Sequence, residues 1–433
     1  MEKKPVIVVF DIGKTNKKCL VFDADYEVVY SEFFDTPQVQ DADGFPTEDL
    51  DALKSAMDGQ LRILLSDPGL DIRAVNFTTY GATIVNTDAD GNLVHSLWDY
   101  LRPYDESVMA RFEHDHGDNG HVYAQTASPS LGNLNTGLQL YLLKHSDGVL
   151  FSRIAQSTWL PQYLSGKYSG QLFSEATSVG CHTLCWDFNR SAFAGWTIAE
   201  GIEPLFPPMR AAAEPLEGVF EGHHLTMGIG MHDSSSALLP YLRSIDHPFM
   251  LLSTGSWSIC LNPFNDAPLT KEELAADCLS YLTYTGRPVK ASRLNAGFRH
   301  TEQVAALCQT YAIEKQQLWQ LGWDADTSSV LVPADASEAV KQAANEYENF
   351  LRGLVLEQLE KIRLVAADEV RHIYVDGGFS RNTIFMGLLR EGLPGMTIRA
   401  AEVGQSTALG AAMVLHEHWN PGPLRQDLVR FSD

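Results

Sequence analysis

The chain has 433 residues, 45% of them hydrophobic, and its 32 basic and 55 acidic side chains give a net charge of −23. This length predicts two or three domains with sizeable cores. Such an acidic surface argues against nucleic acid or an anionic membrane as the main partner, although a local group of cations can still bind phosphate. No signal peptide and no membrane-spanning apolar stretch is visible, so we expect a cytoplasmic protein.

The first predicted elements are strands near residues 5–11, 17–23 and 27–33. The apolar run 6–10 is followed at once by Asp11, Gly13 and a group of small and cationic residues. This pattern is typical of sites that place a carboxylate near a metal and backbone N–H groups near a phosphate. It is not a Walker A loop, because Val8 occupies the position of that motif's first glycine. An ordinary hairpin turn is the alternative interpretation, and this motif alone does not decide between them.

A helix is predicted next, with Thr47 as its N-cap and apolar residues from Leu50 to Leu65 on one face. A strand over 72–79 then leads into Tyr80 and Gly81, and residues 84–87 and 93–94 are predicted to form a hairpin. Trp98 and Arg102 follow this hairpin, where an aromatic ring and a guanidinium group could contact a polar ligand. Packing alone is the alternative for both. Residues 136–200 are predicted to be mainly helical.

Asp233 follows a glycine-flanked segment and is the next candidate for chemistry. It either caps a helix, with Ser236 three residues on, or acts as a base at the boundary between domains. The neighbouring His232 is better explained as a structural residue than as a catalytic one.

The second half of the chain repeats the pattern of the first. A strand over 249–252 ends in Thr254, Gly255 and Ser256, and apolar residues resume at 259–261. A long helix over 337–368 precedes a strand at 372–375 and a glycine-rich turn that contains Gly377, Gly378, Phe379 and Asn382. A helix over 382–391, a strand at 397–400 and a final helix from Ser406 complete the prediction. One phosphate-type turn in each half suggests a nucleotide held in a cleft between two α/β domains.

Together, in this order, the motifs resemble the FGGY family of carbohydrate kinases, within the actin-like ATPase superfamily. The resemblance covers nearly the whole chain. It runs from the first phosphate motif (11–15) through the sugar-contact region (80–102), the segment with the catalytic aspartate (230–233), the second phosphate motif (253–257) and the adenosine motif (377–382) to the closing helix (408–412). Residues 174–178, Trp186 and Asp187 are most similar to the rhamnulokinase and L-fuculokinase branch.

The resemblance implies two ribonuclease-H-like domains, 1–240 and 241–433, with the active site in the cleft between them. It implies an ATP- and Mg²⁺-dependent kinase that phosphorylates a ketose such as L-rhamnulose, L-fuculose or a similar 6-deoxy sugar. Asp233 would be the catalytic base, and Asp11 and Asp233 would hold the metal. The sugar would be bound by Tyr80, Gly81, Trp98, Arg102, His232 and Asp233. The nucleotide would be bound by Asp11, Gly13, Lys14, Thr15, Asn16, Lys18, Thr254, Gly255, Ser256, Gly377, Gly378, Phe379 and Asn382.

The sequence departs from the family pattern at two of these positions. Phe379 replaces the third glycine of the adenosine turn and is expected to narrow the space for the base or to set its tilt. Lys18 stands where many relatives carry arginine, and it keeps the charge without the bidentate geometry.

Other interpretations stay open at this point. They are a xylulose, ribulose or glycerol type of kinase, an acyl kinase of the same superfamily, a nucleotide-switched protein like actin, and a sugar sensor that has lost its activity. A homodimer is possible, and the sequence shows no interface.

Overall fold

The structure is a computed structural model that describes residues 3–14, 16–117 and 120–432. The strands of the first half are β1 Lys4–Ile12, β2 Lys17–Asp23, β3 Val28–Phe34, β4 Gln38–Gln40, β5 Pro46–Glu48, β6 Leu70–Thr79, β7 Ile84–Thr87, β8 Gln156–Trp159, β9 Ser174–Glu175, β10 Trp186–Asp187, β11 Ala192–Phe193, β12 Met209–Arg210, β13 Leu216–Phe220, β14 His223–Met227 and β15 Met231–His232. The helices are α1 Leu50–Leu65, α2 Glu106–His116, α3 His121–Gln125, α4 Thr136–Ser146, α5 Gly148–Phe151, α6 Leu160–Ser169, α7 Ala176–Val179, α8 Gly195–Ala199 and α9 Asp233–Ser244.

The second half has the strands β16 Phe249–Thr254, β17 Ser258–Asn262, β18 Cys278–Leu282, β19 Pro288–Leu294, β20 Gly322–Asp324, β21 Ser329–Leu331, β22 His372–Gly377, β23 Thr397–Glu402 and β24 Arg430–Ser432. Its helices are α10 Lys271–Ala275, α11 Ala296–Tyr311, α12 Lys315–Trp319, α13 Glu338–Val365, α14 Thr383–Gly392, α15 Ser406–Met413 and α16 His416–Trp419. Short 3₁₀ turns lie at Gly132–Leu134, Glu203–Leu205 and Gly378–Arg381. Among the described helices, none is both long and apolar enough to cross a membrane.

Each half is built on a mixed sheet with the same central arrangement. In the first sheet β1 pairs antiparallel with β2 and parallel with β6, in the order β13-β14-β6-β1-β2-β3, with β15 also beside β6. In the second, β16 pairs antiparallel with β17 and parallel with β22, in the order β18-β19-β17-β16-β22-β23-β24. The mixed α/β class and the repeated strand–turn–strand unit predicted from sequence are therefore confirmed.

Residues 6–10 of β1 and 249–252 of β16 are all apolar because both faces of these strands are buried. On β1, Val6 and Val8 point to an outer core under α1, whereas Ile7 and Val9 point to an inner core. The inner core also holds side chains of β16 and of the helices α9 and α15. It lies between the two sheets and joins them, so the turns that follow β1 and β16 open toward the same region.

Two local predictions in the first half need correction. The N-cap of α1 is Asp49, whose carboxylate accepts the N–H groups of Asp51 and Ala52, whereas Thr47 is buried and donates to the carbonyl oxygen of Leu97. The main partner of β7 is β8, and the predicted hairpin is reduced to a bridge between Thr87 and Leu93 with backbone hydrogen bonds from Val94 to Asn86 and from Asp88 to Asn92. Both differences come from contacts with residues distant in sequence, namely Leu97 for Thr47 and strand β8 for β7.

Candidate active site

The first phosphate-type turn joins β1 to β2 and is closed by its own backbone. The N–H of Gly13 donates to the carbonyl oxygen of Asn16 at 2.9 Å, and a β-carbon at Gly13 would lie 2.8 Å from that oxygen. A glycine is therefore required, and its N–H is not free to bind phosphate. The N–H groups of Lys14 and Asn16 donate to no backbone carbonyl group among the described residues, so they remain available to a ligand. The predicted contact at Thr15 lies outside the described residues.

The lysines of this turn have separate partners. Lys14 Nζ lies 2.6 Å from Asp99 Oδ2, and the buried Lys17 pairs with Glu48 at 3.1 Å. Lys18 is opposite Asp11 in the hairpin and donates to Gln405 Oε1 at 3.1 Å, just before α15. Lys14 and Lys18 are thus the cations of this turn that lie beside the candidate site, and Lys17 is structural.

Asp11 and Asp233 lie close enough for their charges to repel. Asp11 is near the end of β1, and Asp233 is the first residue of α9 rather than its N-cap. Burial raises the pKa of Asp11 to about 6, and the charge of Asp233 adds to the effect while Lys18 opposes it. Burial likewise raises the pKa of Asp233 to about 6, against hydrogen bonds from the N–H and hydroxyl of Ser234.

This carboxylate pair fits a magnesium ion. Carboxylate oxygens are the ligands that Mg²⁺ prefers, and a cation between them would relieve their repulsion. Among residues 3–14, 16–117 and 120–432, no group of three or more His, Cys, Asp or Glu side chains could hold a metal. A site of the kind that Mg²⁺ forms with one or two carboxylates and the phosphates of a nucleotide does not require such a group.

His232 is held by protein groups on several sides. Its Nε2 lies 3.1 Å from Asp233 Oδ1 and 3.0 Å from Cys181 Sγ, and its ring stacks on Tyr281 at 5.7 Å. Burial lowers the pKa of His232 to about 3, so the ring is neutral near pH 7. The hydrogen bond of this ring joins Nε2 to Cys181 Sγ, and the buried Nδ1 has no hydrogen-bond partner among the described residues.

Among the predicted sugar-contact residues, Gly81 lies against His232 and Trp98 lies against Arg102, and their contacts with a sugar stay predictions. Tyr80 is buried at the end of β6. Gly81 is required by packing, since a β-carbon there would lie 2.6 Å from Cys181 Sγ and 3.1 Å from the His232 ring. The indole of Trp98 lies between His95, at 5.2 Å, and the guanidinium of Arg102, at 4.7 Å.

The guanidinium of Arg102, which was predicted to orient the sugar, has several partners within the protein. The group forms ion pairs with Asp41, at 2.6 Å, and with Asp43, and it stacks on Phe45 at 4.8 Å. Its charge is satisfied within the protein, so it fixes Trp98 against the loop at 41–45. Sequence reasoning missed this because the acids lie some 60 positions away, with nothing local to identify them.

The second phosphate-type turn follows β16 and copies the first. The N–H of Gly255 donates to the carbonyl oxygen of Trp257 at 2.9 Å, as that of Gly13 does to Asn16. The carbonyl oxygen of Ser256 accepts the N–H groups of Gly297 and Phe298 at the start of α11. These hydrogen bonds fix the turn against α11, a helix whose contact with this turn was not predicted from the sequence.

Thr254 joins this turn to the glycine-rich turn after β22. Its hydroxyl donates to the carbonyl oxygen of Asp376 at 2.5 Å and accepts the N–H of Phe379 at 3.0 Å. Gly377 has φ of +88°, and a β-carbon there would clash with the carbonyl oxygen of Thr254. The Thr254 hydroxyl therefore has a structural role. The phosphate contact that was predicted through the backbone N–H groups around Thr254 and Gly255 stays a prediction.

A cavity of about 840 Å³ opens beside these two turns. The predicted residues Thr254, Gly255, Ser256, Gly378, Phe379 and Asn382 line it. The side chain of Asn382 is engaged, since Oδ1 accepts the N–H of Phe385 and Nδ2 donates to the Tyr347 hydroxyl. The ring of Phe379 is buried and stacks on Phe385 at 4.5 Å, so most of it lies in the core and the cavity stays wide.

Two aromatic side chains in the cavity wall were missed at the sequence level. Phe298 is 51% exposed and Trp319 is 56% exposed, and both line the cavity. Such exposure is unusual for large apolar rings next to a cavity, and it provides flat surfaces for a base. They lie on α11 and α12, where apolar residues alone predict only packing.

Both halves of the chain match family profiles. A profile described as "FGGY family of carbohydrate kinases, N-terminal domain" matches residues 6–238, and one described as "Carbohydrate kinase FGGY, C-terminal domain" matches residues 246–423.

Relatives with curated names include rhamnulokinases. The protein of Yersinia pestis (strain Pestoides F) is 26% identical over 250 residues, which are 55% of this chain and 49% of that protein. The protein of Klebsiella pneumoniae (strain 342) is 24% identical over 241 residues, 52% and 46% of the two chains. The chain thus spans about half the length of the curated relatives it matches.

Solved structures are similar over nearly the whole chain. A carbohydrate kinase from Novosphingobium aromaticivorans has a TM-score of 0.79 at 21% identity, with 97% of this chain and 93% of that chain covered. A xylulose kinase from Lactobacillus acidophilus has a TM-score of 0.77 at 15% identity, with 99% and 93% covered. A Plasmodium falciparum glycerol kinase has a TM-score of 0.73 at 13% identity, with 96% and 90% covered. At these identities the likeness concerns the fold, and it confirms the predicted two-domain α/β architecture.

Proposed function

Since the chain belongs to the FGGY family of carbohydrate kinases, we propose that it transfers the γ-phosphoryl group of ATP to a hydroxyl of a ketose or related sugar. The observation that carries this proposal is the placement of Asp11 and Asp233 at neighbouring strand ends beside a phosphate-type turn: Asp11 is opposite Thr78 of β6, and β15, which leads into Asp233, pairs with Thr78 and Thr79. Both carboxylates have raised pKa values, and catalytic sites are where such groups concentrate.

In the proposed reaction Asp233 accepts the proton of the attacking hydroxyl, while the sugar oxygen bonds to the γ-phosphorus and the bond to the β-phosphate oxygen breaks. ADP leaves, and the proton stays on the Asp233 carboxyl group. The neutral His232 ring, whose Nε2 lies 3.1 Å from Asp233 Oδ1, packs beside the base and restricts where its carboxylate can move. Asp11 and Asp233 would hold Mg²⁺, which neutralises part of the phosphate charge when bound.

The nucleotide is proposed to span the cavity and both turns. Its base would lie in the 840 Å³ cavity between Phe298 and Trp319, and its phosphates would face the turns at 13–16 and 255–257. Since Gly13 and Gly255 use their N–H groups to close the turns, the neighbouring N–H groups of Asn16 and Ser256 are the better donors. Lys18 would add positive charge. The width of the cavity argues against a sensor whose base site is blocked by Phe379.

The substrate is proposed from the named relatives. Rhamnulokinases are among them, so L-rhamnulose, L-fuculose or a similar 6-deoxy ketose is the first candidate. Xylulose, ribulose or glycerol is the alternative, because xylulose and glycerol kinases share the fold. We also propose a boundary near residue 240, within α9, between the two domains. A cytoplasmic location and a homodimer stay predictions.

The test is a coupled ADP-release assay with ATP and Mg²⁺ against ketoses, polyols and 6-deoxy sugars. We expect Asp233→Asn to lower the sugar-dependent turnover by about two to four orders of magnitude, as the loss of a positioned base does. Asp246→Asn is the matched control, because that carboxylate is fully exposed just beyond α9. Near-normal turnover in Asp233→Asn would contradict the role of this residue, and no ADP release with any sugar would contradict the kinase.

A further inference from the structure

An ion pair connects the first phosphate-type turn to the segment of Trp98 and Arg102, which we term the 98–102 loop. Lys14 Nζ lies 2.6 Å from Asp99 Oδ2, and the two side chains are only 22% and 8% exposed. The other carboxylate oxygen, Oδ1, accepts the N–H of Leu101 at 2.9 Å. Asp99 is therefore held both by its own loop and by a turn 85 positions away in the sequence.

The surroundings of this pair extend to the catalytic carboxylate. Lys14 Nζ lies 5.6 Å from the ring centre of Tyr80 and 5.5 Å from that of Tyr100, within reach of cation–π attraction. Burial raises the pKa of Tyr100, and the charges of Asp99 and Asp233 add to this effect. The Tyr100 side chain is thus within electrostatic reach of both carboxylates.

We propose that Lys14 and Asp99 are a positioning pair that fixes the 98–102 loop to the phosphate turn and so sets the acceptor hydroxyl at the right distance from the γ-phosphorus. The proposal rests on the kinase function proposed above. A pair that is short and mostly buried restrains its two segments better than an exposed one does. Since a displacement of about 1 Å at a reacting centre costs about 100-fold in rate, the restraint is expected to matter for transfer.

A competing explanation is that Lys14 binds the nucleotide phosphates directly and that Asp99 only neutralises it until then. The two explanations differ in their consequences. If Lys14 binds phosphate directly, its loss lowers the affinity for ATP, whereas the loss of Asp99 leaves that affinity intact. A positioning pair would be disabled equally by the loss of either partner, with ATP affinity little changed.

The experiment is a double-mutant cycle with Lys14→Met, Asp99→Asn and the double variant. The readouts are kcat, the KM values for ATP and sugar, and the ratio of ADP formed to sugar phosphate formed. We expect each single change to lower kcat about 10- to 100-fold, and the double change to cost no more than the worse single one. We expect the ADP to sugar phosphate ratio to rise above one, because water replaces a misplaced hydroxyl and releases inorganic phosphate. Lys14→Arg, which keeps the charge, should recover most of the coupling.

The matched control is the pair Lys4–Asp23, at the opposite end of β1. Its atoms are 3.1 Å apart, and Asp23 also accepts backbone N–H groups and is mostly buried. Lys4→Met and Asp23→Asn should leave the product ratio at one, and thermal melting of all variants identifies any that do not fold. Should Lys14→Met be unstable, Lys14→Gln, which also removes the charge, takes its place in the cycle with Asp99→Asn.

The outcomes separate this inference from the function it rests on. Additive effects in the cycle, an unchanged product ratio, or a loss of ATP affinity confined to Lys14→Met would overturn the positioning pair while sugar phosphate is still formed by the wild type. A wild-type protein that forms no sugar phosphate with any acceptor would overturn the kinase function, and the pair with it.

Discussion

Each lysine of the first phosphate-type turn has a partner within the protein. Lys14, Lys17 and Lys18 lie within five positions, yet their partners are Asp99, Glu48 and Gln405. An unpaired cation in a partly buried turn would carry a desolvation cost, and each pairing offsets it. As a consequence, only part of the positive charge that the sequence shows near Asp11 is available to phosphate.

A second group of matched charges lies away from the site, around Glu200. Its carboxylate accepts from Lys144 at 2.7 Å, from His116 at 2.7 Å and from His145 at 3.0 Å, and it is 12% exposed. Burial acts to raise the pKa of Glu200, but these hydrogen bonds outweigh it and lower the pKa to about 2. The group links α2, α4 and the end of α8, so its contribution is to stability.

We expect Glu200→Gln to lower the free energy of unfolding at pH 7 by about 2–3 kcal/mol. A carboxyl group whose pKa is lowered on folding stabilises the protein above its unfolded pKa of about 4.5, and this contribution is lost as the pH falls toward 2. Urea unfolding at pH values from 7 to 3 should show the difference between the two proteins shrinking with pH. Glu217→Gln, an exposed site on β13, is the control, and a constant difference would contradict the assignment.

At the level of elements, the close crossing of α9 and α15 holds the two halves together. A β-carbon at Gly410 would clash with the carbonyl oxygen of Ser236. The Ser236 hydroxyl donates to the Thr407 carbonyl oxygen at 2.8 Å, and Asn76 Nδ2 donates to that of Ala411 at 2.7 Å. Small residues are needed here because the helix backbones touch, and Asp233 lies at the start of one of these helices.

Gly410→Ala is therefore expected to destabilise the protein by about 1–3 kcal/mol, since the helices must separate to admit the methyl group. Gly353→Ala is the matched control, because that exposed glycine in α13 has nothing within 4 Å of the new carbon. It should stabilise the protein by about 0.5–1 kcal/mol through helix propensity. Thermal and urea unfolding measure both changes, and equal effects at the two glycines would show that the crossing is not as tight as described.

Across the whole molecule, the inner core between the two sheets and the cavity beside the second one have different roles. The inner core joins side chains of both sheets with α9 and α15. The cavity lies beside α11, α12 and the turn after β22, outside that core. A nucleotide that binds there and reaches the first turn would connect both halves, and it would stabilise the folded state as any specific ligand does.

We expect ADP with Mg²⁺ to raise the melting temperature, with a stabilisation of about 2.7 kcal/mol at a ligand concentration of 100 Kd. Removing Mg²⁺ with EDTA should reduce the shift, because the free phosphates meet Asp11, Asp233 and a net charge of −23. Trp319→Ala should weaken binding by about 1–3 kcal/mol through lost stacking. Leu356→Ala is the control, since Leu356 is 64% exposed and lies outside the cavity lining. A shift unchanged in Trp319→Ala would argue against base binding at this wall.

The sequence by itself determined the family, the α/β class and the position of each phosphate-type turn. Those features are local: an apolar run buried on both faces, then an acid or hydroxyl residue and a glycine, whose missing β-carbon the first of the two turns requires. Asp233 could be singled out for the same reason. What each side chain does was decided only by the tertiary structure.

The clearest cases are Arg102, Thr254 and Asn382, whose side chains form ion pairs or hydrogen bonds within the protein that the sequence pattern did not reveal. Among their partners, Asp41, Asp376 and Tyr347 lie 61, 122 and 35 positions away, and Lys14 and Asp99 are separated by 85. The cavity wall formed by Phe298 and Trp319 is likewise made by packing of separate helices. A sequence pattern shows which side chains could bind a ligand. Which of them form hydrogen bonds or ion pairs within the protein depends on the neighbours that they acquire when the chain folds.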